Sequence, residues 1–346
     1  MDIPESYSHF ITALAKPPKP KSIFEALKSP YHLHWKTAAW NQFKKNHDIA
    51  VFTLSFRKED IPPGSQILRS QLVPKIKTTD ILSIFELKVR HVIVGTPQVH
   101  KIDFDNSYSP TADITSIRIQ IAFTCARNYS IAVIDVKNAF QNTIAPPESR
   151  VYVTLPPLYK EWVIKELKYP LDRDADYLVQ MLNSNQGTKN AGNLWYTLLL
   201  QVLRKYGMIR STVDHGYLVK KVNDEEYIYI SIATDDLLVS YLLQKTFDDL
   251  VTYLEQYFEL TVQNGNVLKF FGIRIIQSDI GISLDQGECV YDMLEYYFGQ
   301  DVDKVKTISS PMRYDSAFKK ELFEAIPLTD VELTACCIEF KGGYCF

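Results

Sequence analysis

IAVIDVKNAFQN (131–142) and YIYISIATDDLLVSYLL (227–243) are the stretches whose reading decides the fold. IAVIDV (131–136) is a short apolar run rich in β-branched residues, bounded by polar ones, which predicts a buried strand. YIYISIA (227–233) and LLVSYLL (237–243) flank Thr234-Asp235-Asp236, and two apolar strands around a short acidic centre predict a hairpin. Between these stretches a helix is expected from about Lys189 to Tyr206, with Leu194, Leu198 and Val202 on one side and Gly207 at its end. A second helix follows the hairpin, with Phe247, Leu250, Val251, Leu254 and Phe258 at helical spacing. VLKFFGIRIIQS and GISLDQ then predict another hairpin, turning near Asp279-Ile280-Gly281. Strand, helix, strand, strand, helix, strand is the β-α-β-β-α-β order of a ferredoxin-like layer, an α+β arrangement with an antiparallel sheet covered by helices on one face.

Upstream, KPPKPK (16–21) predicts an extended linker, because proline fixes φ and lacks a donor. Ser22 is placed to cap a short helix over IFEALK. Trp35, Ala38, Ala39 and Phe43 share one face of a second helix, with Trp40 off that face. From Val51 to Val94 the text is extended and interrupted by Pro62, Pro63 and Pro74. Helical spacing returns at Ile114, Ile117 and Ile121, with Asp113 or Thr115 as the cap.

Composition narrows the class. The 346 residues are 46% apolar and 23% charged, which suits a folded chain of two or three subdomains. No apolar run reaches the ~18 residues of a membrane span, and MDIPESYSHF does not read as a secretory signal. The five cysteines (Cys125, Cys289, Cys336, Cys337, Cys345) form no CxxC pair, which argues against zinc and disulfide scaffolds and for a reducing, intracellular setting. The net charge of -3 hides a split, since residues 1–100 carry 14 Lys+Arg against 8 Asp+Glu and the remainder carries 24 against 33. A phosphate-friendly N-terminal part is thus joined to a carboxylate-rich one.

The chemistry rests on three carboxylates. Asp235-Asp236 alone reads as an exposed acidic turn. Asp135 changes that, because it ends a core strand that the predicted sheet can set beside the hairpin. Carboxylates converging at one sheet edge repel unless a divalent cation neutralises them. Oxygen ligands without His or Cys favour Mg²⁺ or Mn²⁺. The matching chemistry is two-metal phosphoryl transfer.

Taken together, IDVKNAFQN (134–142), SNQGTKNAGNLWY (184–196) and ATDDLLV (233–239) resemble motifs A, B and C of a Ty/copia-type retrotransposon reverse transcriptase. KVRHVIVG (88–95) resembles that family's KARLVAKG, SYSPTADITSIR (107–118) its TFSPVA....R, and FFGIRI (270–275) its YLGIEI, in the right order from about Trp35 to Met312. The resemblance implies a right-hand polymerase fold. An N-terminal arm with helices would span 1–49, fingers 50–128, a ferredoxin-like palm 129–285, and a partial thumb 286–346, ending before any ribonuclease H. It implies an RNA-directed DNA polymerase that joins deoxynucleoside triphosphates (dNTPs) to a primer on an RNA or DNA template, using two Mg²⁺ ions or Mn²⁺ in their place.

By the same resemblance Asp135 and Asp235 would hold the ions and Asp236 would support them. Phe140 would be the wall that rejects a 2′-hydroxyl. Lys88 and Arg90 would hold the triphosphate as point charge and bidentate clamp. Gln186 and Gly187 would lie under the nucleotide and the template base, and Lys189 would meet phosphate at a helix start. Trp195 reads as core rather than as a base-stacking ring. FFGIRI would be the primer grip. Other Pol or Gag products would be its protein partners, without a membrane, and its setting cytoplasmic, particle-associated or nuclear. Five positions depart from the pattern: Val94 stands for a lysine, Asn190 and Asn193 for Gln and Arg, and Ala233-Thr234 for Tyr-Val. The alternative they motivate is a decayed remnant that binds nucleic acid without turnover.

Overall fold

The computed structural model describes residues 9–298, apart from 13–16, 54–55, 79–83, 148–149 and 173. The expected thumb beyond 298 therefore lies outside the described residues. In chain order the elements are β1 (Phe10–Thr12), α1 (Ile23–Ala26), α2 (His32–Asp48), β2 (Phe56–Arg57), β3 (Ile67–Thr78), β4 (Ile84–Val94), α3 (Ile114–Ala126), β5 (Ser130–Val136), β6 (Tyr152–Thr154), α4 (Tyr159–Glu166) and β7 (Tyr177–Gln180). They continue as α5 (Ala191–Lys205), β8 (Ile209–Arg210), β9 (Tyr217–Lys221), β10 (Tyr227–Ala233), β11 (Asp236–Tyr241), α6 (Gln244–Glu255), β12 (Leu260–Gln263), β13 (Val267–Phe270), β14 (Ile273–Ser278), β15 (Gly281–Asp285) and α7 (Gly287–Phe298). The described residues form a mixed α and β structure built on three sheets. Among the described residues no helix is long and apolar enough to cross a membrane.

The first sheet runs β1-β4-β3-β6-β7-β2. Residues of β4 alternate strictly, with Phe85, Leu87, Val89, His91 and Ile93 buried and Glu86, Lys88, Arg90, Val92 and Val94 on the other, half-covered side. The buried side meets the face of α2 that the spacing predicted: Trp35, Ala38, Ala39 and Phe43 are all buried in this core. Asn46 continues that face and is also buried. Ser22 caps α1 as expected, its hydroxyl accepting from the Glu25 amide at 3.2 Å. Two strands from the stretch read as palm, β6 and β7, join this sheet rather than the next one.

The second sheet runs β12-β5-β11-β10-β9-β8, and every pairing is antiparallel. Its interior strand β5, between β12 and β11, is buried along nearly its whole length, as IAVIDV predicted. On one face lie α5 and α6, in a core with Ile134, Leu237, Phe247 and Leu254. On the other, Ile117 and Ile121 of α3 pack with Ile131, Val133 and Leu238. Asp113 caps α3, accepting from the Thr115 amide at 2.7 Å.

Three details differ from the sequence reading. The strand that completes the β-α-β-β-α-β order is the short β12, not FFGIRI. FFGIRI is itself a hairpin, turning at Phe271 and Gly272 with φ of 49° and 72°, so β13, β14 and β15 form a separate sheet. A two-residue turn with both φ positive matches the twist of its strands and keeps Phe270 and Ile273 facing each other, both buried. On α5 the buried stripe is Trp195, Leu199, Val202 and Leu203, with Leu194 and Leu198 half-buried on its flank. Adjacent Trp195 and Tyr196 widen the apolar arc, and the largest ring turns the helix toward itself.

Candidate active site

Asp135 is the last residue but one of β5 and Asp236 begins β11, and the register sets them directly opposite one another. The Val136 amide donates to the Asp235 carbonyl at 2.9 Å. That bond makes 135/236 a non-hydrogen-bonded antiparallel pair, the type whose Cα atoms stand about 4.5 Å apart and whose side chains approach most closely. Like charges directly opposite on a sheet are destabilising. Burial pushes the Asp236 carboxyl up to about 7, with Asp235 and Asp135 adding to the rise. Burial and Asp235 also raise Asp135, while Lys77, Lys88 and Lys137 pull it back.

Asp235 sits in the two-residue turn between Ala233 and Asp236. Thr234 before it has φ +59°, a left-handed conformation that a β-branched side chain rarely adopts. Trp195 holds the turn there, its indole N–H donating to the Thr234 carbonyl at 2.6 Å. The ring is fully buried and packs edge-on against Phe258 at 5.2 Å, so Trp195 is core as expected. It also has a task that spacing alone could not show, because that depends on a contact across 39 residues.

Asp135 and Asp235 line a cleft of about 300 Å³ whose opposite wall comes from β4 and β3. Lys88 and Arg90 face it from alternate positions of β4, as the KVRHVIVG motif implied, with Lys77 of β3 beside them. Lys75 of β3 is directly opposite Lys88, a second like-charge pair, this time positive. Burial, Lys77, Lys45 and Arg90 lower Lys88, against a rise from Glu86. No ion pair among the described residues joins the acidic wall to the basic one. Phe140 lines the cleft and its ring is partly buried against the core of the second sheet. Gln186 lines it as well.

Gly187 lies just behind Gln186, in tight backbone contact with β4. Its φ is +96°, and a Cβ there would stand 1.9 Å from the Ile93 carbonyl. The Ile93 amide donates to the Gln186 carbonyl at 2.8 Å, so the loop and β4 are zipped together and only glycine fits. Lys189 is placed elsewhere. It precedes α5 and does not line the cleft, and its ammonium donates to the Gln98 carbonyl at 2.8 Å.

Sequence reasoning missed Gln42 and Lys45 of α2, which also line the cleft. The available signal was the Lys44-Lys45 pair beside Asn46, a polar residue on an otherwise apolar helix face. Asn138 was missed too. It lines the cleft in a left-handed conformation (φ +54°), where asparagine is favoured among non-glycine residues.

The donor set suits a hard divalent cation, being carboxylate oxygen at a sheet edge where the acids repel one another. Among the described residues, no group of three or more His, Cys, Asp or Glu side chains completes an ion site by itself. Asp135 and Asp235 are the carboxylates that line the cleft, and Mg²⁺ is commonly held by one or two carboxylates together with substrate phosphates and water.

Comparison with known proteins agrees with the motifs. The family described as "Reverse transcriptase (RNA-dependent DNA polymerase)" matches residues 54–312. The Retrovirus-related Pol polyprotein from transposon RE2 of Arabidopsis thaliana is 27% identical over 296 residues, 84% of this chain and 18% of that protein. Its RE1 counterpart is 26% identical over 327 residues, 92% of this chain and 20% of that protein. A putative transposon Ty5-1 protein of Saccharomyces cerevisiae is 30% identical over 154 residues, 44% of this chain and 46% of that one. The chain thus spans about a fifth of the length of the Arabidopsis relatives. Apo telomerase from Candida tropicalis aligns at a TM-score of 0.38 and 11% identity over 73% of this chain and 60% of that one, too loosely to carry an argument. The chain belongs to the reverse transcriptase (RNA-dependent DNA polymerase) family.

Proposed function

We propose, with that membership as premise, that this chain extends a primer on an RNA or DNA template by two-metal nucleotidyl transfer, in the manner of a Ty/copia-type retrotransposon polymerase. The observation that carries the reading is the cleft itself: Asp135 and Asp235 on one wall and Lys77, Lys88 and Arg90 on the other, with no ion pair between them among the described residues. The second sheet would be the palm. Its strands β12, β5, β11 and β10 take the spatial order 4-1-3-2 of a ferredoxin-like layer. The first sheet would be the fingers, the β13–β15 sheet the primer grip, and α7 the start of a thumb.

Two divalent ions, when bound, would supply charge neutralisation on both sides of the α-phosphate and a lowered pKa for the attacking 3′-hydroxyl. Asp135 and Asp235 would hold them, and Asp236 would support Asp135 from the facing strand. Lys88 and Arg90 would bind the triphosphate, Arg90 through paired N–H donors. Phe140 would stand against the sugar and exclude a 2′-hydroxyl by its bulk. Gln186 would lie under the nucleotide, on the loop that Gly187 lets pack against β4. The rate enhancement asked of these residues is positioning and charge stabilisation rather than proton relay.

The test is extension of oligo(dT) on poly(rA) with Mg²⁺, then Mn²⁺, beside an Asp235→Asn protein. Extension by the native chain and none by the variant is the expected result. Extension by neither, in folded protein that still binds RNA–DNA duplex with steep salt dependence, would instead establish the decayed-remnant alternative.

A further inference from the structure

Beneath the cleft runs a closed circuit of buried hydrogen bonds. Gln141 Nε2 donates to Asn46 Oδ1 at 3.1 Å and to Asn185 Oδ1 at 2.9 Å. Asn185 Nδ2 donates to the His91 carbonyl at 3.2 Å. Asn46 Nδ2 stands 3.2 Å from His91 Nδ1 and closes the ring. The four side chains come from α2, β4, the turn after β5 and the loop before α5, and their residues are 2%, 2%, 7% and 0% exposed in the order Asn46, His91, Gln141, Asn185. Gln42 Nε2 joins from the rim, donating to Asn46 Oδ1 at 2.8 Å.

The circuit fixes its own proton positions. Asn46 Oδ1 accepts from two amides, so the Asn46 amide nitrogen must face the imidazole. His91 Nδ1 is then the acceptor, and a neutral ring carries its proton on Nε2. Burial lowers the His91 pKa to about 3, which keeps the ring neutral and the circuit intact across the physiological range. Each member also has a chain neighbour in the cleft. Lys45 precedes Asn46, Arg90 precedes His91, Phe140 precedes Gln141, and Gln186 follows Asn185. Four separate segments thus join the circuit to the cleft, and two circuit members, His91 and Gln141, reach the cleft lining themselves.

We infer that Asn46, His91, Gln141 and Asn185 are positioning residues that hold Lys45, Arg90, Phe140 and Gln186 in a common register, and that through Phe140 and Arg90 the circuit tunes discrimination between deoxy and ribo triphosphates. The inference rests on the nucleotide reading of the cleft. A merely structural polar core would contribute stability without coupling these segments. A hydrogen-bonded buried network is more directional than apolar packing, because each amide of the circuit has one workable orientation; His91 Nε2 stands outside it, buried and without a partner among the described residues. The circuit brings Lys45 of α2 into the same unit, although α2 precedes the region matched to the family.

Gln141→Met tests this, since it keeps the volume and removes both donated bonds. The comparator is Gln120→Met in a second buried network, where Gln120 Nε2 donates to the Leu238 carbonyl at 3.0 Å on the far face of the second sheet. Hydrogen exchange would be measured on the full chain, together with dTTP affinity and the ratio of dTTP to UTP incorporation on poly(rA)–oligo(dT). Gln141→Met is expected to speed exchange at 88–95 and 184–190, segments remote from it in sequence, to weaken dTTP about tenfold and to reduce discrimination against UTP by a similar factor. Gln120→Met is expected to lower the melting temperature and leave affinity and discrimination unchanged. Native-like exchange at 88–95 and 184–190 in folded Gln141→Met would overturn the circuit, whatever the nucleotide does. Faster exchange with unaltered discrimination would overturn its role in selectivity. Failure of the unaltered chain to bind dTTP would instead overturn the nucleotide reading and the selectivity role with it, while exchange would still decide the circuit.

Discussion

The two walls of the cleft make the same unfavourable choice with opposite charges. In the second sheet Asp135 faces Asp236 across a strand pair, and in the first sheet Lys75 faces Lys88. Both pairs are like-charged and partly buried, and the shifts oppose ionisation in each: Asp135 and Asp236 are raised, Lys75 and Lys88 are lowered. A sheet built for stability alone would pair these charges or expose them. Self-repulsion on each wall, with Lys77 and Lys88 only partly offsetting it at Asp135 and no ion pair between the walls among the described residues, is the mark of a site completed from outside. The acidic wall calls for a cation and the basic wall for an anion. A metal-bound triphosphate answers both.

That comparison can be broken most sharply on the acidic side. Asp135→Asn is expected to cut incorporation by about a thousandfold or more, read by single-turnover primer extension, because it removes a charge needed to hold an ion. A variant with near-native rate would separate the acidic wall from the chemistry. On the basic side the expected effect is smaller. Arg90→Lys keeps the charge but loses the planar fork, so KM for the dNTP should rise about ten- to a hundredfold with a lesser change in kcat. If KM holds and only duplex affinity falls, the basic wall serves the template strand instead. Phe140→Ala should raise UTP use relative to dTTP about tenfold, measured by competitive incorporation on poly(rA). Unchanged selectivity would return Phe140 to the core residues it also touches.

The smallest expected effect concerns stability. The Asp236 carboxyl titrates near 7 in the folded chain and near 3.8 when unfolded, its ordinary value. The folded state therefore holds its proton where the unfolded state has lost it. Stability associated with this group is greatest below about pH 4, declines as pH rises through about 7, and stays low above it. Asp236→Asn removes the repulsion, and a gain discounted to about 1 kcal/mol would raise the melting temperature by a few degrees at pH 8 and by nothing at pH 4. A melting temperature lowered at pH 8 would contradict the raised pKa. Together with lost polymerisation, the gain would show the acidic wall trading stability for function.

Much of this was legible because the site lies where strong local patterns end. Asp135 closes a β-branched run and Asp235 interrupts two apolar strands, so both acids were placed before any contact was known. The alternation of β4 put Lys88 and Arg90 on one side in the same way. What escaped depended on distance along the chain. The strand β12 has four residues, LTVQ, whose alternation is too short to mark a strand by itself, and it pairs along the edge of β5. The Phe271-Gly272 turn hides within an apolar run where period alone reads a continuous strand. Lys189 was expected to meet phosphate at a helix start; it lies outside the cleft lining, and its ammonium donates one bond to the Gln98 carbonyl. The Asn46 circuit needs four segments at once, and its trace in the sequence was a polar residue at the end of the buried face of α2, beside Lys44-Lys45.

The central claim is that the carboxylate wall holds divalent cations against a bound triphosphate. Mn²⁺ titration followed by electron paramagnetic resonance, with dTTP and a primer–template ending in a dideoxynucleotide, tests it most directly. The account predicts two Mn²⁺ per native chain beyond those held by free nucleotide, and weaker or fewer ions in Asp135→Asn. Equal Mn²⁺ binding by the native protein and the variant would contradict it.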